Sequence, residues 1–94
     1  ESGRLACLRY ARENGCPWNS YTCTYAARNG HLDCLRYARE NGCPWNSDAC
    51  ASAAVNGHLE CLKYLYNNNC SYDKEFCLRY AKNEEIREYI ESYM

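Results

Sequence analysis

Apolar side chains recur along the chain at the spacing of an α-helix. In "GRLACLRYARENG", residues 3–15, they fill one broad arc when residues are placed about 100° apart, and charged side chains occupy the other side. The members of the arc are Leu5, Cys7, Leu8, Tyr10 and Ala11. Since this arc is wider than a surface helix needs, it indicates a helix with neighbours on several sides.

A sharp corner follows this first helical segment. Asn14 and Gly15 end the segment, because glycine accepts the left-handed conformation that often follows a helix C-terminus. Pro17 then prevents the helix from resuming. After the corner "GCPWN" a shorter helical segment runs to Asn29 and Gly30, and the next long segment begins at once. The spacing therefore predicts pairs of helices with no room for a strand.

The same pattern continues to the C-terminus and predicts an all-α chain. The seven predicted helices span 4–14, 20–29, 31–41, 47–56, 58–68, 73–83 and 84–93. Asn69 stands where Gly15 and Gly42 end the corresponding helices. We expect Asn69 to adopt a left-handed conformation, because asparagine tolerates positive φ better than most residues.

The helix pairs form a repeat of 27 residues. "LRYARENGCPWNS" at 8–20 recurs unchanged at 35–47, and residues 3–29 match residues 30–56 at 20 of 27 positions. A looser third copy spans 57–83, and we interpret residues 84–94 as a capping helix. Self-similarity at a fixed period is typical of stacked repeats. Residues 1–94 are therefore predicted to form a single domain, an α-solenoid of helix-turn-helix units; the strand signature of leucine-rich repeats is absent.

The junction between copies resembles a known repeat. In "ARNGHLDCLRYARENGC" a short helix ending in A-A-x-N-G-H precedes a longer one, as in the ankyrin repeat, and residues 26–31 and 53–58 occupy those places. An ankyrin repeat has about 33 residues, so the resemblance implies a truncated β-turn finger, replaced here by the Cys-Pro-Trp corner. The chain is most similar to the divergent Cys- and Trp-containing ankyrin-like arrays of protists and giant viruses. This resemblance implies a non-enzymatic protein-protein interaction module whose short helices line a concave surface.

The first two copies differ at only seven positions, and five of these lie on one side of the short helix. We call this side the variable face. Across the three copies it holds Tyr21, Thr22, Thr24, Tyr25 and Arg28; Asp48, Ala49, Ala51, Ser52 and Val55; and Glu75, Phe76, Leu78, Arg79 and Lys82.

The constant side of the short helix is interpreted as packing, and the variable face as a candidate partner-binding surface. Tyrosine and arginine are enriched in binding hot spots. The predicted partner-binding residues are Tyr21, Thr24, Tyr25, Arg28, Asp48, Ala51, Ser52, Val55, Glu75, Leu78, Arg79 and Lys82. The alternative is that an exposed helix face has drifted without a binding role.

Composition narrows the classes of partner. The chain is 47% apolar and 14% aromatic, which favours a folded domain over disorder. Its formal net charge of −1 provides no general attraction to nucleic acid or to anionic membranes. No apolar run is long enough to span a bilayer. We therefore expect a protein partner, with neither nucleic acid nor membrane involved.

The nine cysteines recur at three fixed places in each repeat. They stand at 7, 34 and 61, at 16, 43 and 70, and at 23, 50 and 77. An odd number at regular packing positions argues against a disulfide framework, and unpaired cysteine behaves as a small buried hydrophobe. We predict reduced core cysteines in an intracellular, reducing compartment, either cytoplasm or nucleus.

Two kinds of chemical site are weighed and not favoured. Zinc could be held by Cys16 or Cys43 with His31 or His58, but structural zinc sites show closer ligand pairs. We predict no metal, and we expect the histidines to form hydrogen bonds between repeats. A catalytic cysteine needs a histidine base in reach and a lowered pKa, and no phosphate-binding loop or carboxylate pair is present. No enzyme activity and no cofactor are predicted.

An aromatic residue follows each corner: Trp18, Trp45 and Tyr72. We expect these side chains to seal adjacent repeats, with a ligand-binding aromatic row as the alternative.

The two ends of the array differ. Glu88 and Glu91 stand where Cys7 and Tyr10 stand in the first copy, as a solvent-facing cap requires. The first helix has no short helix before it, so we expect its apolar face to be covered by a neighbouring molecule, for example by head-to-tail stacking. Besides a binding module, the open functions are a structural or spacer segment of a longer array and a cysteine-based metal or redox site.

Overall fold

The computed structural model describes residues 20–94. The six helices are α1 (Ser20–Arg28), α2 (Leu32–Glu40), α3 (Ser47–Val55), α4 (Leu59–Asn67), α5 (Lys74–Tyr80) and α6 (Glu84–Tyr93). No strand occurs within this range, so the predicted all-α architecture is confirmed for it. The helix predicted at 4–14 lies outside the described residues.

Left-handed residues close the corners after α1 to α4. Gly30, Gly42 and Gly57 have φ values of 72°, 91° and 83°, and Asn69 has a φ of 67°. The prediction of a left-handed Asn69 is confirmed. Around it, the Cys70 N–H donates to the Leu65 carbonyl over 3.0 Å, and the Cys43 N–H makes the same bond to Ala38 beside Gly42. These are the wrap-around bonds of a Schellman motif, which satisfy carbonyls at a helix end.

The end of α5 was predicted wrongly. It was placed at residue 83, but the helix ends at Tyr80, and Ala81 has an extended backbone (φ −54°, ψ 133°). Glu84 stands at the position where Gly30 and Gly57 begin the second and third copies, so the glycine corner cannot form. Instead the Lys82 N–H donates to the Ala54 carbonyl over 3.0 Å.

Asn83 then begins the last helix. It is extended (φ −146°, ψ 176°), and its side-chain oxygen accepts a hydrogen bond from the Ile86 N–H over 3.0 Å. The same kind of cap starts α3 at Asn46 and α5 at Asp73. Such caps satisfy N–H groups that have no partner within the helix.

The helices stack in two layers. The short helices α1, α3 and α5 pack on one another in sequence, and the long helices α2 and α4 pack beside them. The described core contains only cysteine, alanine, leucine and isoleucine, and no buried polar residue. Seven cysteines and six alanines make up most of it, which permits the close approach of the short helices. The constant side of the short helices is therefore the packed side, with Cys23, Ala26 and Ala27 at most 2% exposed.

Candidate partner-binding face

The variable face lies at the surface, with one exception. Eight of the twelve predicted partner-binding residues are exposed: Tyr21, Tyr25, Arg28, Asp48, Val55, Glu75, Arg79 and Lys82. The other four are half-buried: Thr24, Ala51, Ser52 and Leu78. Ala49, which the repeat comparison also placed on this face, is fully buried. It stands in the same slot as the exposed Phe76 of the next repeat, on the helix that packs closely against α1.

An aromatic and cationic cluster forms the α1 part of the face. The Tyr21 and Tyr25 ring centroids are 6.0 Å apart. The Arg28 guanidinium donates to the Tyr21 hydroxyl over 3.1 Å, and its central carbon lies 5.9 Å from the Tyr25 ring centroid. Tyr21 stays 55% exposed. Arg28 is thus held over the Tyr25 ring and against the Tyr21 hydroxyl, with most of its five donors available to a ligand.

A shallow groove follows between α3 and α5. It encloses about 170 Å³, and Ala51, Ser52, Val55, Asn56 and Phe76 line it. Val55 is 37% exposed and Phe76 42% exposed, so two of the lining residues present apolar surface to solvent. This groove brings together residues from two repeats that the sequence comparison had placed only on separate helices.

Sequence reasoning missed Tyr80. The slot holds Ala26 and Ala53 in the first two copies, both buried, and was assigned to the constant side. In α5 the tyrosine is 50% exposed, and its ring centroid lies 4.8 Å from that of Phe76. The replacement of a small residue by a tyrosine at an otherwise constant slot was the signal for it.

Most charges of the face have no ion pair within residues 21–94. The salt bridge in this part of the chain joins Lys63 and Glu60, both on the long helix α4. Asp73 accepts a hydrogen bond from the Phe76 N–H as the α5 cap. Arg79, Lys82, Asp48 and Glu75 therefore keep charges that a ligand can pair.

Comparison with known families accounts for this arrangement. The family model for ankyrin repeats, in three copies, matches residues 1–87. The chain belongs to the ankyrin-repeat family. Comparisons with curated proteins and with solved structures gave no significant match. Ankyrin repeats are in general protein-protein interaction modules and not enzymes.

The cysteines of these ankyrin repeats are packing residues. All seven between residues 20 and 94 are buried and outside any disulfide, which agrees with the prediction; Cys7 and Cys16 lie outside the described residues. Burial, followed by the nearby Glu60 and Asp33 carboxylates, raises the pKa of Cys61 to about 11. The Cys70 thiol and burial together raise the pKa of Cys50. These thiols are therefore protonated at neutral pH, which disfavours nucleophilic chemistry.

The prediction that the histidines form hydrogen bonds between repeats was wrong for His58. Its imidazole makes no hydrogen bond within the described residues and instead lies against Gly30 of the preceding ankyrin repeat. A Cβ added to Gly30 would be only 2.6 Å from His58 Nδ1. No cluster of three or more possible metal ligands occurs in this part of the chain.

The aromatic residue after the second corner packs across a repeat boundary, as expected. Trp45 meets Tyr64 of the next ankyrin repeat edge to face, with centroids 6.0 Å apart. The central carbon of the Arg39 guanidinium lies 4.2 Å from the centroid of the same indole. Tyr72 instead packs against Tyr66 and donates its hydroxyl to the Met94 carbonyl over 2.8 Å. Trp18 lies outside the described residues.

No helix within residues 20–94 has the length and apolar character needed to cross a bilayer.

Proposed function

We propose that this ankyrin-repeat chain binds a protein partner through the variable face of its short helices. The observation that carries the proposal is the accumulation of exposed tyrosine, phenylalanine and arginine on the side of the helices that differs between copies. Tyr21, Tyr25 and Phe76 are all at least 38% exposed. Aromatic and arginine side chains contribute most of the binding energy at protein interfaces.

The long helices offer a contrast that supports the same proposal. Two of their outward slots are unchanged between the first two copies, since Arg9 matches Arg36 and Glu13 matches Glu40, and the third copy has Lys63 and Asn67 there. Arg36 and Glu40 are exposed and have no hydrogen bond or ion pair within the described residues. A surface that differed merely because it is exposed would differ on both sides of the repeat.

The proposed module is non-enzymatic and needs no cofactor. It acts in a reducing intracellular compartment, where buried thiols such as Cys50 and Cys61 stay reduced. Head-to-tail stacking through the N-terminal helix remains a separate proposal, because that helix lies outside the described residues.

A matched pair of triple variants tests the proposal. In the first, Tyr21→Ala, Tyr25→Ala and Arg79→Ala remove exposed groups of the variable face. In the second, Arg36→Ala, Glu40→Ala and Asn67→Ala remove three exposed groups of the long helices. The tagged proteins are used to capture partners from an extract of the source cells, and the captured proteins are compared by mass spectrometry.

We expect the first triple variant to lose the partners that the wild type retains, and the second to keep them. Circular dichroism and thermal unfolding check that both variants fold. Equal retention by both would refute binding through the variable face, and a selective loss in the second variant would move the site to the long helices.

A further inference from the structure

The variable face carries positive charge at both ends of its described part. At the α1 end, the Arg28 guanidinium is fixed by the Tyr21 hydroxyl at 3.1 Å and by the Tyr25 ring. At the α5 end stand Arg79 and Lys82, both exposed and both without an ion pair among residues 21–94. Fixed cations lose little side-chain entropy when they pair with a ligand carboxylate.

Lys82 is held in place by the backbone corner that replaces the glycine turn. Its N–H donates to the Ala54 carbonyl over 3.0 Å, and its side-chain stem lies against Gly57. A Cβ on Gly57 would be 3.0 Å from Lys82 Cγ. The stem is therefore packed at the C-terminal end of α3, while the ammonium group is left for solvent or a ligand.

The apolar groove of about 170 Å³ lies between these cations. Val55 and Phe76 both line it with exposed apolar surface, and its size suits a single apolar side chain of a partner. The acidic residues of the face, Asp48 and Glu75, lie in the first turns of α3 and α5, and Glu75 lines a shallow pocket together with Arg79. A ligand that carries carboxylates avoids them by crossing the C-terminal halves of the short helices.

The distance between adjacent short helices sets the spacing between the ligand residues that contact successive repeats. Packed helices lie roughly 8–10 Å apart, and an extended chain advances about 3.3 Å per residue. One repeat therefore corresponds to about three residues of an extended ligand, and to roughly five to seven residues of a helical one at roughly 1.5 Å per residue.

Resting on the proposed function, we infer that the variable face takes an extended peptide in which one apolar residue is flanked, about three residues away on each side, by aspartate or glutamate. The apolar side chain enters the groove beside Val55. One carboxylate pairs with Arg28, and the other pairs with Lys82 or Arg79. The two aromatic surfaces, Tyr21 with Tyr25 and Phe76 with Tyr80, cover the peptide on either side.

Peptide selection tests this inference directly. A displayed library of random 16-residue peptides is selected on the wild type, on the double variant Arg28→Glu with Lys82→Glu, and on the control variant Arg36→Glu. We expect the wild type and the control to enrich an apolar residue with acids three positions before and after it. We expect the double variant to keep this spacing and to replace the acids by lysine or arginine.

The binding constant of the enriched peptide gives a second measure. Fluorescence anisotropy should show about tenfold weaker binding to Arg28→Glu and to Lys82→Glu than to the wild type, and no change for Arg36→Glu. Each acid of the peptide changed to alanine should weaken binding to the wild type. In the charge-reversal variant of its own partner, the same change should restore part of the lost binding, because it removes a repulsion between like charges.

Three results would overturn the inference. Acids enriched at intervals of roughly five to seven residues would show a helical ligand, and enriched peptides without acids would remove the role of the cations. Failure of any linear peptide to be enriched would show that the face binds a folded surface instead. None of these results decides the partner-capture experiment, which tests binding through the variable face independently of the ligand's form.

Discussion

Single residues in this chain are constrained by the close stacking of the repeats as much as by their own backbone. Gly30 and Gly42 both have positive φ. A Cβ on Gly30 would collide with His58, whereas a Cβ on Gly42 would meet nothing within 4 Å. Glycine is therefore needed at position 42 only for its positive φ. At position 30 it is needed both for its positive φ and for the space beside His58.

This difference predicts unequal costs for the same substitution. Gly42→Ala should lower the free energy of unfolding by about 1 kcal/mol, the cost of a left-handed alanine. Gly30→Ala should cost more, because the methyl group must also displace the His58 ring. Urea unfolding measures both. Adding His58→Ala should remove the additional loss of unfolding free energy in the Gly30→Ala variant and should not stabilise the Gly42→Ala variant. If Gly30→Ala were not stabilised, contact with His58 would not be the cause of its additional loss.

Cys61 links burial to the pH dependence of stability. Its pKa in the folded chain is about 11, against an ordinary value of 9.0. A group whose folded pKa is raised contributes stability that is complete below the unfolded pKa and lost as pH rises through the folded one. We expect the free energy of unfolding to fall between about pH 9 and pH 11, by about 3 kcal/mol from this thiol.

The variant Cys61→Ala provides the comparison for this prediction. Its unfolding free energy, followed by urea denaturation from pH 7 to pH 11, should fall less steeply than that of the wild type. Parallel curves for the two proteins would show that Cys61 does not titrate differently in the folded and unfolded chains.

Element by element, the sequence predicted most where a local signal was strong. The Asn-Gly pairs located the ends of α1 to α3 to within two residues, because left-handed glycine terminates a helix locally. The short end of α5 has no such local signal, since Glu84 stands at the position where Gly30 and Gly57 follow the earlier short helices. What ends it is a bond to another repeat, from the Lys82 N–H to the Ala54 carbonyl.

The same limit applies to the candidate site. The variable face was predicted from differences between copies, and most of its residues are exposed. The burial of Ala49 and the exposure of Tyr80 depend on which helix stacks on which side, which a comparison of copies does not contain. The groove beside Val55 likewise needs two repeats placed together.

The last helix depends on its cap. Asn83→Ala should lower the free energy of unfolding by about 1 kcal/mol, because the Ile86 N–H loses its acceptor. Asn83→Asp keeps an acceptor and adds a favourable charge at the helix N-terminus, so it should restore stability. Thermal unfolding compares the three proteins. If the aspartate variant were as unstable as the alanine variant, the side-chain amide would matter for a reason other than the cap.

For the whole molecule, stacked repeats predict that damage at one end stays near that end. Ile90 is fully buried in α6, and Ile90→Ala should cost about 2–5 kcal/mol. Because each repeat contacts only its neighbours, amide exchange should accelerate most in α5 and α6 and least in α1 and α2. Hydrogen exchange with mass spectrometry measures this gradient, and Ile90→Val provides a milder control. Equal acceleration everywhere would indicate one cooperative unit.

The corner after α5, which lacks a glycine, affects where a further repeat can be inserted into the array. Tandem duplication of residues 30–56, spliced after Asn56, recreates the same Asn-Gly-His junction on both sides of the insert. The same unit spliced after Asn83 would again put an asparagine, Asn56 of the insert, before Glu84, but it would separate α6 from α5, on which it packs. The array is thus able to lengthen from within while α6 stays packed on α5. Two near-identical copies followed by a divergent third are the trace that such internal duplication leaves.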